Sequence, residues 1–328
     1  MPLQQGVFLD LETVDCGDLD RGGLAASMPA WDWHAFTRPG DIAKRIAEAE
    51  VVVTYKCILG RDQLAAAGRL RLIAVAATGT NNIDLAAAAS LGITVCNIRD
   101  YCSESVAQHV VALMLNLLTG QPWYRDRVRR GEWSNARQFC LLDHPIREAR
   151  GMNFGVLGYG ALGRAAAAKA GALGMKVLVA ERKGRQPRAD RLPFAEVLRR
   201  ADVLTIHCPL SDETRDLITF EELRTMKRDA LLINTARGGI VNEQHLADAL
   251  RKGLIGGAAV DTLDPEPPPA DHPLLAADIP RLLVTPHNAW ASRNGRQAAL
   301  NQLADVVNAF AGAAPINVVE PGTAVPSD

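Results

Sequence analysis

Short runs of aliphatic and β-branched residues alternate along the chain with alanine-rich segments of helical period. In the first hundred residues these runs predict β-strands at 7–9, 51–55, 72–76 and 93–96. The segments between them predict α-helices at 41–49, 61–67 and 84–90. Because strands that alternate with helices pair in parallel through right-handed crossovers, we expect an α/β layered structure.

The same alternation continues beyond residue 150. It predicts six further strands, at 154–157, 176–180, 203–208, 230–234, 257–261 and 282–285. It predicts helices at 161–173, 194–200, 220–226, 242–252 and 292–311. Six parallel strands in this rhythm would complete a dinucleotide-binding sheet.

Two segments join the halves. Residues 103–118 predict a helix that is apolar around most of its circumference, as expected of a connector between domains or a subunit contact. The helix should stop at the Gly120-Gln121-Pro122 sequence. Residues 123–150 are rich in Arg and Trp and lack a clear period, so we expect them to be irregular.

A glycine fingerprint marks the second half of the chain only. Gly158, Gly160 and Gly163 follow the apolar run 154–157 and open a helical segment. Such glycines permit a sharp turn, close approach of backbone to a pyrophosphate, and close packing of helix on strand. We therefore predict a nucleotide-binding domain at 100–288 and a discontinuous substrate domain at 1–99 and 289–328.

Glu181 ends the next apolar run, where a carboxylate usually binds the hydroxyls of the adenosine ribose. Its charge would repel a 2′-phosphate, which favours NAD over NADP. Arg182, Lys183 and Arg185 follow at once, however, and such a basic cluster could hold that phosphate. NADP therefore stays open as the alternative cofactor.

The composition excludes several classes of function. The chain has 328 residues, enough for two domains, and a net charge of −1, so no basic field favours nucleic acid or an anionic membrane. The apolar stretch 106–118 is too short to span a bilayer, and the first residues show no export-signal pattern. The six cysteines form no CxxC pair and no metal-ligand spacing, so we expect reduced thiols, no metal site and a cytoplasmic protein.

Three polar residues follow predicted strands at the sheet edge where open α/β sheets bind ligands: Arg237, Glu266 and His287. A guanidinium can bind a carboxylate through two parallel hydrogen bonds. Histidine titrates near neutrality, which suits it to exchange a proton with a carbonyl oxygen. A carboxylate beside it would orient the ring and favour the imidazolium. Glu266 is our candidate, with Asp264 and Asp271 as its nearest competitors.

In combination, several motifs resemble the D-isomer-specific 2-hydroxyacid dehydrogenase family over nearly the whole chain. They are GYGALG at 158–163, HCPL at 207–210, NTARGG at 234–239, DTLDPEP at 261–267 and TPHNAW at 285–290. ATGTNNID at 77–84 looks like the substrate loop of the family. With SVAQH at 105–109 and QFCLLD at 138–143, the chain looks most like the glycerate dehydrogenase, or hydroxypyruvate reductase, branch.

The resemblance implies a Rossmann-type doubly wound parallel sheet inserted into a second, flavodoxin-like α/β domain. It also implies roles for single residues. Arg237 would bind the substrate carboxylate and carbonyl, His287 would be the acid–base, and Glu266 its partner. Backbone N–H groups at Thr78 and Gly79 would hold the other side of the carboxylate.

The resemblance further implies how the chain would contact its cofactor. The glycine turn, with Ala161 and Leu162, would hold the pyrophosphate, and Glu181 with Arg182 the ribose. Cys208 and Pro209 would lie at the adenine end. Asp261 and the backbone of Thr235 and Ala236 would face the nicotinamide end, and Arg237 and His287 would also contact the cofactor.

The implied activity is NADH-dependent reduction of a small 2-oxoacid, hydroxypyruvate first and glyoxylate second, in a homodimer whose domains close over the substrate. Dehydrogenation of another 2-hydroxyacid, or of phosphite, is an alternative within the same fold, whereas formate dehydrogenases typically carry Gln in place of Glu266. An NAD(H)-sensing corepressor is the alternative from another class. Trp290 or Phe139 could line the pocket for C3 of the substrate. The chain departs from the family at Glu181, where Asp is more common, and at Asn288, where we expect an apolar residue.

Overall fold

The computed structural model describes residues 3–322 and divides into two compact units. The first unit contains the chain up to Ser103 and again from Trp290 onward, and the second unit spans Glu104–Ala289. The chain thus leaves the first unit, builds the whole of the second, and returns.

The first unit contains a parallel five-stranded sheet. Its strands are β1 (Gln5–Phe8), β2 (Ala30–Trp33), β3 (Val51–Thr54), β4 (Leu72–Val75) and β5 (Thr94–Asn97). The spatial order is β2-β1-β3-β4-β5, which is the flavodoxin-like order. Side chains along β3 alternate between two cores, because Val51 and Val53 pack on one face and Val52 on the other.

Four helices cover this sheet before the chain leaves the unit. They are α1 (Gly22–Ala26), α2 (Ile42–Ile46), α3 (Arg61–Ala65) and α4 (Leu85–Ser90). Neither α1 nor β2 was predicted from the sequence. The β2 sequence AWDW lies at the sheet edge with partly exposed side chains, so it lacks the continuous apolar run that marks β3 and β4.

The second unit begins with α5 (Ser103–Thr119) and α6 (Gln121–Arg129). Gly120 between them has a φ of +69°, and Pro122 lies in the first turn of α6. The prediction of irregular structure was therefore wrong for 123–129. A short helix with no buried residue lacks the apolar stripe that makes a helix visible in sequence.

A parallel six-stranded sheet forms the centre of the second unit. Its strands are β6 (Asn153–Leu157), β7 (Lys176–Ala180), β8 (Val203–Ile206), β9 (Leu231–Asn234), β10 (Gly257–Val260) and β11 (Leu282–Val284). Its helices are α7 (Ala161–Ala172), α8 (Phe194–Arg200), α9 (Phe220–Thr225) and α10 (Glu243–Arg251). The order β11-β10-β9-β8-β6-β7 reverses direction between β6 and β8, and doubly wound sheets bind ligands beside such a reversal.

The helix α11 (Arg293–Ala311) completes the first unit. Ser292 caps it by accepting a hydrogen bond from the Gly295 N–H at 3.0 Å, and its inner face adds Leu300 and Leu303 to the first core. The two sheets and this return confirm the predicted fold class. None of the helices within residues 3–322 has both the length and the apolarity needed to cross a membrane.

Candidate active site

The glycine turn joins β6 to α7 at the point where the sheet order reverses. Gly158 has a φ of +87°, and a Cβ atom there would lie 2.6 Å from the Cys208 nitrogen. A Cβ on Gly163 would lie 2.1 Å from the Gly158 oxygen. The turn therefore excludes side chains at both positions, and it presents the N-terminus of α7, where unpaired N–H groups favour a phosphate.

Glu181 follows β7 and is 5% exposed. Its carboxylate accepts hydrogen bonds from the Arg188 Nε at 2.7 Å and from the Arg182 N–H at 2.9 Å. These contacts, with that of Arg188 the largest, lower the pKa of Glu181 to about 2. Lys183 and Arg185 pair elsewhere, with Glu222 at 2.8 Å and with Glu213 at 3.6 Å. Arg188 was not predicted as a site residue, although it belongs to the same basic run.

The residues after β8 lie against the glycine turn. The His207 ring is buried, and its Nε2 atom lies 3.0 Å from the Thr205 hydroxyl. Its Nδ1 atom has no partner in the described part of the chain. Burial lowers the pKa of His207 to about 4 and raises the pKa of the Cys208 thiol to about 11. Both side chains are therefore uncharged at neutral pH.

The loop after β9 is held by the buried side chain of Asn234, which donates to the Arg237 carbonyl at 2.8 Å and accepts from the Ala236 N–H at 3.0 Å. Gly238 packs directly on the backbone of Leu263, because a Cβ there would lie 2.2 Å from its carbonyl carbon. The Arg237 side chain is exposed, and no carboxylate within residues 3–322 pairs with it.

The loops after β10 and β11 are joined by Asp261, which is 1% exposed. Its carboxylate accepts hydrogen bonds from the N–H groups of Asn288 at 3.1 Å and Ala289 at 3.0 Å. The His287 N–H donates to the Asp261 carbonyl at 2.8 Å, and the φ of His287 is +50°. Asp261 thus fixes the strained turn that carries His287. The side chain of Asn288 is on the exposed side of this turn, so its polar group is not buried.

A hydrogen-bonded pair forms at these loops. The Nδ1 atom of His287 lies 2.6 Å from Oε2 of Glu266, and the other Glu266 oxygen accepts from the Leu263 N–H at 3.1 Å. Asp264, a competitor for this position, pairs with Arg215 at 3.1 Å instead. The structure therefore brings together the two residues proposed as acid–base and partner, and their roles stay predictions.

One further histidine reaches this network from α5. The Nε2 atom of His109 lies 3.1 Å from the Thr285 hydroxyl, which itself donates to Asp261. Burial lowers the pKa of His109, although the nearby charge of Asp261 opposes this. His109 was not predicted as a site residue and belongs to the SVAQH motif. Its position on an otherwise apolar helix was the signal for a specific polar contact.

Thr78 and Gly79 lie in the first unit, directly after β4. The Thr78 hydroxyl donates to the Ile98 carbonyl at 3.0 Å, and the Asn97 amide donates to the Thr78 carbonyl at 2.7 Å. Their proposed contact with substrate stays a prediction. Trp290 stacks on Tyr55, with ring centroids 4.9 Å apart, which gives it a packing role within the first unit. Phe139 is 90% exposed.

The second unit fits a dinucleotide on its own features. The glycine turn leaves backbone open for phosphates, and the buried polar atoms Nδ1 of His207 and Oγ1 of Thr235 have no hydrogen-bond partner among the residues that the structure describes. Such atoms cost free energy unless a ligand or water satisfies them. Within residues 3–322, no group of three or more His, Cys, Asp or Glu side chains is arranged to hold a metal ion.

Comparison with known proteins adds three findings on sequence. The model of the D-isomer specific 2-hydroxyacid dehydrogenase NAD-binding domain matches residues 111–289. The chain is 44% identical over 309 residues to a glycerate dehydrogenase of Methylorubrum extorquens, covering 92% of this chain and 98% of that protein. It is 33% identical to a hydroxypyruvate reductase of Blautia hydrogenotrophica, covering 95% of this chain and 98% of that protein.

A solved structure shares the fold. The D-lactate dehydrogenase of Aquifex aeolicus, complexed with NAD and lactic acid, superposes with a TM-score of 0.79 at 25% identity. The match covers 97% of this chain and 100% of that one. Both units of the present chain therefore have counterparts in that enzyme.

Proposed function

Since the chain belongs to the D-isomer specific 2-hydroxyacid dehydrogenase family, we propose that it reduces hydroxypyruvate, and less readily glyoxylate, with NADH. The product is the D-2-hydroxyacid, and the reverse reaction is that of a D-glycerate dehydrogenase. The chain is an NAD-dependent oxidoreductase, with NADP as the alternative cofactor. Its similarity to a glycerate dehydrogenase and a hydroxypyruvate reductase over nearly their whole length supports this choice among 2-oxoacids.

The 2.6 Å contact between His287 and Glu266 carries the proposal. It lies on loops that pack against the loop of Arg237, since Gly238 contacts the Leu263 backbone. An acid–base residue and an exposed guanidinium thus lie on adjoining loops at the carboxyl ends of β9, β10 and β11. A 2-oxoacid offers one group to each, because its carbonyl needs a proton and its carboxylate a cation.

The residues divide the work as follows. NADH, when bound, supplies the hydride that C2 of the substrate accepts. Arg237 binds and orients the carboxylate, which replaces a random encounter by a positioned one. His287 gives a proton to the carbonyl oxygen and takes it back in the reverse direction. Glu266 holds Nδ1 of the ring, so that Nε2 is the nitrogen that exchanges the proton, and its charge balances the imidazolium.

Initial rates of NADH and NADPH oxidation test this proposal. The purified protein is given hydroxypyruvate, glyoxylate, pyruvate and a bulkier 2-oxoacid in parallel. We expect the highest kcat/KM with hydroxypyruvate and NADH. If none of the four substrates is turned over with either cofactor, the proposal is wrong, and phosphite oxidation or NAD(H) sensing takes its place.

We also propose that the chain forms a homodimer through the segment 121–150, named here the arm. The arm exposes several large apolar side chains: Val128, Trp133, Phe139, Leu142 and Ile146. It is nevertheless ordered by its own contacts, such as the hydrogen bond from the Trp133 ring to the Phe139 carbonyl at 2.8 Å. Ordered apolar groups in one segment are typical of a surface that another protein covers. By contrast, most of the apolar residues of α5 are already buried.

The proposed location is the cytoplasm. All six cysteines are free, and burial raises the pKa of the Cys96 thiol to about 11, so that it stays protonated at neutral pH. Such thiols suit a reducing compartment. Fractionation of source cells, with an antibody against the chain, would show it in the cytoplasmic fraction.

A further inference from the structure

The carboxylate of Glu181 is fully engaged by protein donors. Oε1 accepts from the Arg182 N–H at 2.9 Å and from Nη2 of Arg188 at 3.1 Å. Oε2 accepts from Nε of Arg188 at 2.7 Å and from the Arg188 N–H at 3.3 Å. A carboxylate has about four lone-pair sites. All four are therefore occupied before any cofactor is considered.

This arrangement conflicts with the role expected for Glu181. Ribose hydroxyls bind a carboxylate by donating to it, so NADH needs acceptor sites that Arg188 occupies. The Arg188 side chain is 59% exposed and lies on the loop after β7, so it can turn away into solvent. NADH binding at Glu181 would then break the pair between Glu181 and Arg188.

NADPH, unlike NADH, should bind better when Arg188 stays paired with Glu181. Its 2′-phosphate is repelled by a bare carboxylate, and Arg188 neutralises that carboxylate while it remains in place. A guanidinium has five N–H groups, of which Glu181 takes two from the Arg188 side chain, so others remain for a phosphate. Lys183 and Arg185 are already paired with Glu222 and Glu213.

We propose that Arg188 sets the preference between the two cofactors, by competing with the ribose hydroxyls of NADH for Glu181 and by accommodating the 2′-phosphate of NADPH. The inference rests on the proposed function for one point only, the assignment of Glu181 to the adenosine ribose. It makes Arg188 a specificity-determining residue that opposes the NAD preference of Glu181.

The test is equilibrium binding of NADH and of NADPH to the full chain without substrate, followed by the fluorescence of the reduced nicotinamide. In Arg188→Ala, we expect NADH to bind about 3-fold more tightly, since an ion pair whose arginine is largely exposed to solvent is a weak competitor. We expect NADPH to bind about 10-fold more weakly, since a charge-assisted contact is lost. Arg200→Ala is the matched control, because Arg200 is a paired arginine of the same unit, 2.6 Å from Glu196.

A double-mutant cycle shows whether the effect acts through Glu181. In a Glu181→Gln background, Arg188→Ala should no longer tighten NADH binding. The proposal is overturned if Arg188→Ala shifts both dissociation constants by the same factor, if Arg185→Ala rather than Arg188→Ala weakens NADPH, or if NADH binding still tightens in the Glu181→Gln background. If Arg188→Ala does not fold, Arg188→Lys serves instead, because it keeps the charge without the paired contact. Its dissociation constants for NADH and NADPH should lie between those of wild type and those expected of Arg188→Ala.

Binding separates this inference from the proposed function. Altered selectivity without turnover of any 2-oxoacid would refute the proposed reaction and leave the role of Arg188 intact. Unaltered selectivity in an active enzyme would refute the role of Arg188 alone.

Discussion

Nδ1 of His287 and Oε2 of Glu266 are 2.6 Å apart, on loops that follow different strands of the second sheet. The contact occupies one ring nitrogen and so determines which nitrogen meets a substrate. It depends in turn on Asp261, whose carboxylate fixes the turn from Asn288 to Ala289. The pair is therefore positioned by buried hydrogen bonds and not by the side chains alone.

Replacing His287 with Ala should lower kcat by about 100- to 10,000-fold, the usual contribution of a general acid–base. Glu266→Gln should lower it by a smaller factor, about 10-fold or more, since the ring is still held but its charge is not balanced. Steady-state kinetics with hydroxypyruvate measures both, and NADH affinity should change less than a few-fold. His34→Ala, in the first unit, is the control. A His287→Ala enzyme within a few-fold of wild type would exclude this residue as the acid–base.

Replacing Arg237 with Gln should raise KM for the 2-oxoacid by about 10- to 100-fold, because paired charge-assisted hydrogen bonds to the carboxylate are lost. Arg237→Lys should recover part of the loss, since it keeps the charge without the planar fork. Arg228→Gln, an exposed arginine of the same unit, should leave KM unchanged. An unchanged KM in Arg237→Gln would move the carboxylate site elsewhere.

Two glycines of α7 should respond oppositely to alanine. Gly163→Ala places a Cβ 2.1 Å from the Gly158 oxygen, so it should lower the free energy of unfolding by about 1–3 kcal/mol and weaken dinucleotide binding. Gly171→Ala meets no atom within 4 Å and should raise the free energy of unfolding by about 0.5–1 kcal/mol, because it reduces the entropy of the unfolded chain. Urea denaturation measures both. Equal effects of the two substitutions would contradict the packing of the turn.

Acid should destabilise the protein through His207. Its pKa is about 4 in the folded chain and about 6.5 when unfolded, so the unfolded chain binds the extra proton between these values. The stability due to neutral His207 is complete above pH 6.5 and is lost as the pH falls toward 4, by at most about 3 kcal/mol. Chemical denaturation at several pH values in this range gives the free energy of unfolding. Its slope against pH should be shallower in His207→Asn than in wild type. The same slope in both proteins would be evidence that His207 does not cause the loss of stability in acid.

Charges on the arm should separate the proposed dimer. In Phe139→Glu/Leu142→Glu, the dissociation constant of the dimer should rise by about 100-fold or more, as when central apolar contacts are lost. Light scattering after size-exclusion chromatography reports the mass. Leu173→Glu, a partly exposed leucine outside the arm, should remain dimeric. A wild-type monomer at micromolar concentration would rule the dimer out.

The sequence predicted most accurately those elements whose residues are buried on both sides. The strands β3, β4 and β9 were placed to within a residue or two, because parallel strands covered by helices appear as continuous apolar runs. The edge strand β2 and the polar helix α6 carry no such signal, and both were missed.

The sequence predicted which residues belong to the candidate site, but it predicted only some of the contacts between them. The position of Glu266 in a proline-rich loop suggested a chemical role, but only the folded loops distinguish it from Asp264, which pairs with Arg215. Arg188 was missed because its contact with Glu181 depends on how the loop after β7 turns back, which spacing does not determine.

The chain crosses between its two units at Ser103–Glu104 and at Ala289–Trp290. Close to these crossings, the Ser105 hydroxyl donates to the Ala289 carbonyl at 2.7 Å, so the second unit starts and finishes at one place. Segments with adjacent ends can be exchanged between proteins, because the two cut ends of the host chain stay close together when the segment is inserted. Residues 104–289 are thus suited to exchange as a module, and recombination would carry Glu181 and Arg188 into a host together with Arg237, Glu266 and His287.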